Sequence, residues 1–241
     1  MTPLELAEQS LALITQILEE AYKRATKGDL RAAFIYRHAR NISDLGEDIL
    51  VLELENRSSA ARIVVRSMLE SLFRLVAAVK EADYASEKLI AEIEDEAERI
   101  RNWIAVDRYF DFRDEMRETI QGLADYADKL RREYKVASRN RWSVFDTAKI
   151  AELDWQYARD YFLYSKYVHA TISGIISQEY QIGRGHILQT TIFTVLEAVG
   201  HAVQVIETAT PQAHIDEATR LMGIGIDLVN QGAFRDVVVD D

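Results

Sequence analysis

The sequence predicts an all-α protein: a helical bundle of six to eight helices that includes one long helix or helical hairpin. Three observations predict it. Breakers are scarce, with 10 Gly and 2 Pro in 241 residues, too few for a many-turned β fold. Apolar residues recur at helical spacing along almost the whole chain. There are no cysteines, so no disulfide frame, thiolate metal site or cysteine nucleophile stands in for a packed core. A chain of this length can bury roughly 70–75% of its unfolded surface and needs no such staple.

The first helix opens on Thr2-Pro3-Leu4-Glu5, a capping box with proline at the first helical position. Leu4, Leu11, Ile14, Leu18 and Ala21 follow as its stripe, and Gly28-Asp29 stops it. A second helix is expected over 30–55, with Gly46 as a weak point. Asn56 or Ser58 should cap a third over 59–82, with Val65, Leu69, Leu72, Val76 and Val79 facing inward. Residues 86–136 hold no proline and one glycine, Gly122. One helix of that length would span about 75 Å, so a break is expected near 107–113, giving a hairpin that projects. Its run of alternating charge, from Glu92 and Glu94 to Arg99 and Arg101, reads as a solvated face.

Residues 138–145 form the most loop-like interior stretch. Asp146 should cap a fifth helix over 147–181. The turn Gly183-Arg184-Gly185 precedes a sixth over 187–208. Thr210-Pro211 repeats the cap-plus-proline signal and starts a seventh that ends at Gly232. The tail holds Val237-Val238-Val239, which fits either a frayed end or a docking strand. With no internal repeat and no low-complexity linker, one domain over 1–241 is expected, with the core drawn from the first, third, fifth and sixth helices.

Charge narrows the function classes. Lys+Arg is 29 and Asp+Glu is 40, a net charge of −11. Such a chain repels nucleic acid and anionic membranes unless its cations cluster. A nucleic-acid partner is therefore not expected, although a basic cleft fits within a negative average. The first twenty residues carry four glutamates and no basic start before an apolar core, unlike an export signal. The most apolar window, 187–206, holds Gln189, Thr190, Thr191, Glu197, His201 and Gln204, each costly in lipid, so no membrane span is expected. A cytoplasmic location follows. No cofactor and no metal site is expected. A ferritin-like site needs Glu three residues before His on two helices, and no histidine here has that.

Four residues stand out as site candidates. On a helical wheel of the fifth helix, Ser165 and His169 lie within the apolar stripe, one turn apart. A buried hydroxyl and imidazole must find partners or cost about 1–3 kcal/mol. On the third helix, beside Arg62, the pair Arg66 and Glu70 is spaced i,i+4 and flanks the core with Phe73. The expectation is that Ser165 and His169 face Arg66 or Glu70 across the two helices. The bland reading is a structural ion pair and a satisfied core histidine. A Ser–His pair on one helix is no hydrolase triad, and no G-x-S-x-G motif is present. Glu197 and His201, with Thr190 and Thr194, are expected on a solvent face opposite Leu188, Ile192, Val195, Val199 and Val203.

The segment Arg66-Ser67-Met68-Leu69-Glu70 with its apolar run, and Tyr157…Tyr161…Ser165-Lys166-Tyr167-Val168-His169, together resemble an uncharacterised bacterial helical family. That family pairs an R-S-x-x-E helix with a later Y-x-x-x-S-x-x-x-H helix, and the resemblance spans 60–176. It implies a helical fold and leaves activity open. More distantly the chain is similar to the HEPN group of prokaryotic defence and toxin–antitoxin proteins. Many of those are ribonucleases with an R-x(4–6)-H motif. The one formal match here, Arg31…His38, is what chance supplies at so loose a spacing.

The leading expectation is a helical protein of unassigned activity that acts through protein partners, in bacterial defence or stress. The alternatives are a HEPN-like ribonuclease and a small-ligand sensor with a polar pocket between the third and fifth helices. Self-association as a homo-oligomer, most simply a homodimer, is expected from Val51, Leu52 and Leu54 and from Trp103, Tyr109, Phe110 and Phe112.

Overall fold

A computed structural model describes residues 1–24, 29–106, 113–136, 142–168, 183–206 and 208–235. Every regular element among them is helical. In chain order these are α1 (Pro3–Arg24), α2 (Leu30–Leu54), α3 (Ser58–Lys80), α4 (Tyr84–Val106), α5 (Arg113–Tyr134), α6 (Val144–Ile150), the short α7 (Asp154–Gln156), a π-helix (Tyr157–Tyr161), α8 (Phe162–Val168), α9 (Arg184–Ala202) and α10 (Pro211–Asn230). They divide into two compact units: residues 1–80 with 144–241, and residues 81–143.

The larger unit is built around α9, which packs against α1, α2, α3 and α10. It buries residues on every side: Ile187, Leu188, Thr190, Ile192, Thr194, Val195 and Val199 among them. A helix apolar all round belongs in a core. The expected solvent face is therefore absent: Thr194 is fully buried and Thr190 nearly so, while Glu197 and His201 are half-buried. The reason is that threonine can hide its own hydroxyl. Thr190 donates to the His186 carbonyl at 2.9 Å and Thr191 to that of Ile187 at 2.8 Å, so each spends its donor within the helix itself.

Local signals set several boundaries. Thr2 and Glu5 form the expected reciprocal cap, at 3.2 and 2.8 Å. Asp29 caps α2 through the Ala32 amide at 3.0 Å. α2 runs unbroken through Gly46. That glycine lets α1 approach, since a Cβ there would sit 2.5 Å from Leu11 Cδ2. Neither Asn56 nor Ser58 caps α3. Asn56 turns the chain at φ 56°, and Ser58 already lies in the first turn. Arg31 of α2 donates to the Ala78 carbonyl at 2.7 Å, closing the last turn of α3. His38, the other half of the formal R…H match, is buried with its ring 4.5 Å from Phe34.

The largest departure falls on the expected fifth helix. It is not continuous. α6 ends at Ile150, Glu152 takes a left-handed φ of 58°, and the chain restarts at Asp154. It then passes through the π-helix, where the Phe162 amide bonds back to the Tyr157 carbonyl. α8 runs to Val168, and the expected remainder to 181 lies outside the described residues. α9 starts at Arg184, three residues earlier than expected. At Gly185 a Cβ would sit 1.9 Å from the Phe234 carbonyl oxygen, so only glycine lets the C-terminal turn close on this helix. Thr210 precedes Pro211 as expected but makes no side-chain cap. Val237–Val239 lie outside the described residues.

The smaller unit is a helical hairpin. α4 and α5 pack along Ile90, Ile93, Ala127 and Leu130, flanked by Leu89, Leu123 and Tyr134. An ion pair between Arg131 and Glu94 crosses them. The two helices end and begin at Val106 and Arg113, bracketing the expected break, whose own residues lie outside the described set. None of the described helices is long and apolar enough to cross a membrane.

Candidate functional site

The structure brings three of the four candidate residues together. The Arg66 Nη2 lies 2.9 Å from Glu70 Oε1 and donates to the Tyr161 hydroxyl at 2.8 Å. Its Nε donates to Ser165 Oγ at 3.2 Å. Tyr161 donates onward to Glu70 Oε1 at 2.7 Å, and Ser165 donates to the Tyr161 carbonyl at 2.8 Å. His169 lies outside the described residues. The sequence reading missed Tyr161 as a member, although it stands four residues before Ser165 in the same motif and so on the same helical face.

Local structure explains the geometry. Arg66 and Glu70 are one turn apart on α3, with side chains 23% and 22% exposed. Tyr161 ends the π-helix, whose wider turn carries it onto α3. Its ring meets Phe73 edge-on at 6.0 Å and stacks on Tyr157 at 5.0 Å, while Tyr157 meets Phe145 at 5.1 Å. Burial first, and then the Glu70 carboxylate, push the Tyr161 hydroxyl up to about 12. A proton-transfer group works best near the ambient pH, so Tyr161 is a poor acid or base. Its hydroxyl, the guanidinium and the carboxylate satisfy one another. The cluster is a clamp that fixes the π-helix against α3.

Beside the clamp lies a second polar system that sequence reasoning did not find. Glu53 and Asp160 are both fully buried. Glu53 accepts from Ser58 Oγ at 3.1 Å and lies 3.8 Å from Arg184 Nε. Asp160 takes two bonds from Arg159, at 2.8 and 2.7 Å, and its Oδ1 lies 3.8 Å from His186 Nε2. The His186 ring stacks on Tyr164 at 6.0 Å, and the Tyr164 hydroxyl donates to Thr190 Oγ1 at 3.2 Å. Burial raises the Tyr164 pKa. No periodic signal marks these acids, because a charge on a core face looks like an error until its partner from another helix is seen.

At the start of α3 this system opens into a cleft of about 560 Å³ lined by Asn56, Arg57, Ser58, Ser59, Ala60, Arg62 and Gly183. Among the described residues two cations and three neutral polar side chains line it, and Gly183 begins α9 without a side-chain cap. A pocket was expected between the third and fifth helices; this cleft lies between the starts of α3 and α9, and the part of the expected fifth helix from 169 to 181 lies outside the described residues.

A third cluster surrounds Glu197. Burial raises its carboxyl to about 6 against a hydrogen bond from Gln156 and the Lys80 charge. Burial and Lys80 lower the His201 pKa. Among the described residues no group of acidic and histidine side chains is arranged to hold a metal ion.

The model of a family described as "Family of unknown function (DUF5677)" matches residues 32–181, more than half of the chain. The chain belongs to this family. The match takes in the clamp, the hairpin and the Asn56–Arg62 wall of the cleft. It bears out the resemblance to an uncharacterised helical family and brings no activity with it. No curated protein and no solved structure matches the chain.

Proposed function

We propose that this family member is a binding module that takes a small polar ligand in the cleft between the starts of α3 and α9. The observation that carries the reading is the cleft itself. Its volume of about 560 Å³ lies within the range of small-molecule sites. Its polar lining sits on helices held rigid by the clamp and by the buried Glu53 and Asp160 pairs. Preformed polar sites of this kind bind at low reorganisation cost. The ring stack and the high Tyr161 pKa favour a positioning role for the clamp over chemistry.

Thermal stabilisation of the full chain by a library of polar solutes tests this reading. At least one solute should raise the melting temperature saturably, and Ser59→Trp, which fills the cleft from an exposed position, should remove the effect. Stabilisation indifferent to Ser59→Trp would overturn it.

A second reading, action through partners by self-association, is favoured by exposed aromatics. Trp155 and Phe162 are 52% and 55% exposed, seven residues apart around the π-helix, and Arg159 lies over Trp155 at 4.9 Å. Trp103 of the hairpin is 62% exposed. Large apolar groups in water mark interfaces when they cluster.

A further inference from the structure

We infer that the groove between α1 and α2 is a docking surface for an amphipathic helix of a partner protein, apolar on one side and rich in lysine or arginine along its flanks. This surface is distinct from the cleft between α3 and α9 and stands without it.

The groove follows from how the two helices meet. Leu11 of α1 packs on Gly46 of α2, where a Cβ would sit 2.5 Å from Leu11 Cδ2. Thr15 and Ser43 share a hydrogen bond of 3.1 Å. Later residues of α1 thus face earlier residues of α2, and the pair is antiparallel. A groove of about 490 Å³ runs along this contact. Its apolar lining is Leu11, Ala12 and Leu50, and its acidic lining is Glu8, Glu19 and Glu47, all three exposed. Glu8, Leu11, Ala12, Thr15 and Glu19 follow i, i+3, i+4, i+7 and i+11, so they share one face of α1. They span about 16 Å, the length of about three helical turns. Thr15 and Ser43 satisfy each other, which leaves apolar contact as what the floor offers. Ala12 is exposed and ends in a single methyl, so another helix can come close there.

Charge selects the occupant. Residues 1–22 and 41–56, which supply both walls, hold acidic residues and no lysine or arginine. The cations that reach these segments from outside serve other acids. Arg40 holds Asp44 at 2.9 Å, Arg57 holds Glu55 at 3.4 Å and Arg184 lies 3.8 Å from Glu53. Among the described residues no ion pair or hydrogen bond uses the Glu8, Glu19 or Glu47 carboxylate. An apolar strip edged by these carboxylates suits a helix that sets aliphatic side chains into the groove and lysine or arginine beside its rim. A second copy presenting the same face would set carboxylate against carboxylate. An anionic membrane or a nucleic acid would meet the same repulsion.

Fluorescence anisotropy of labelled model peptides, titrated with the full chain, decides the matter. The probes are peptides of about 14 residues: leucine and lysine arranged with one apolar helical face, the same composition scrambled, and the leucine pattern with glutamate in place of lysine. The leucine–lysine helix should bind saturably and at least about tenfold more tightly than either control, and added salt should weaken it. Glu8→Gln, Glu19→Gln and Glu47→Gln together should weaken it by about tenfold or more. Glu115→Gln, Glu118→Gln and Glu133→Gln together, the same shift in net charge at exposed positions of α5, should leave it intact. Ala12→Arg, which brings bulk and a positive charge into the groove from an exposed position, should abolish it with circular dichroism unchanged. Ser59→Trp, in the other cleft, should have no effect. Absence of saturable binding up to about 1 mM, equal loss in the two triple variants, or binding indifferent to Ala12→Arg each overturns the docking surface. Equal binding of the scrambled peptide overturns the helical occupant, and tighter binding of the glutamate peptide overturns its charge. A lower mass for Ala12→Arg than for the parent by light scattering overturns it in favour of a second copy in the groove.

Discussion

At the scale of single residues, the clamp and Glu197 make opposite predictions. Tyr161 joins Arg66 to Glu70 through one hydroxyl. Tyr161→Phe keeps the ring stack and the direct Arg66–Glu70 ion pair but removes one charge-assisted hydrogen bond from each of these half-buried groups. It should cost about 1–3 kcal/mol of stability by denaturant unfolding, and a loss within error would show that water replaces the hydroxyl. Glu197 is buried at a cost. Its folded pKa of about 6 lies above the ordinary 4.5, so the folded state binds the proton more tightly. Stability contributed by that proton is full below 4.5 and is lost as pH rises through 6. Glu197→Gln accepts the same bond from Gln156 without the charge. It should stabilise by up to about 2 kcal/mol at pH 7 and by nothing near pH 4. Unfolding curves at the two pH values check the sign, and an equal effect at both would refute it.

At the scale of elements, two glycines that look alike in sequence do different work. Gly46 sits in the middle of α2, where alanine is the better helix former by about 1 kcal/mol. The atom in the way is the end of the Leu11 side chain, which can rotate. Gly185 faces the backbone carbonyl of Phe234 at 1.9 Å from the Cβ position, and backbone cannot step aside. Gly185→Ala should therefore destabilise by more than about 2 kcal/mol, whereas Gly46→Ala should fall within about 1 kcal/mol of the parent. Melting of the two variants side by side decides this, and a reversed order would show that the C-terminal turn is not docked on α9. The fifth expected helix teaches a related lesson. Periodicity runs through residues 147–168 without interruption, yet Glu152 turns left-handed and the π-helix adds a wider turn. The π-helix delivers Tyr161 to what α3 offers: Phe73 for its ring and Arg66 for its hydroxyl.

At the scale of the whole molecule, the exposed Trp155, Phe162 and Trp103, with Val51 and Leu54 at 55% and 57% exposure, predict that the protein self-associates. Light scattering at tens of micromolar should give a mass of two chains or more, and Trp155→Ser with Phe162→Ser should lower it if that face is used. A monomer for the parent protein would refute the prediction. The sequence by itself determined the helical class, the helix starts at Thr2-Pro3 and Leu30, the stripes of α1 and α3, the hairpin, and the meeting of Arg66 and Glu70 with Ser165. These rest on short-range physics: spacing on one helix, a capping oxygen, a glycine or proline in the backbone. Tertiary structure alone decided that α9 is enclosed, that Glu53 and Asp160 are buried, and that the open cleft lies between α3 and α9. Each of these depends on groups from distant elements: four helices packed round α9, an arginine or histidine for a carboxylate, two helix starts for a wall. A partner separated by tens or hundreds of residues leaves no period in the chain, so its effect appears only once the helices have packed.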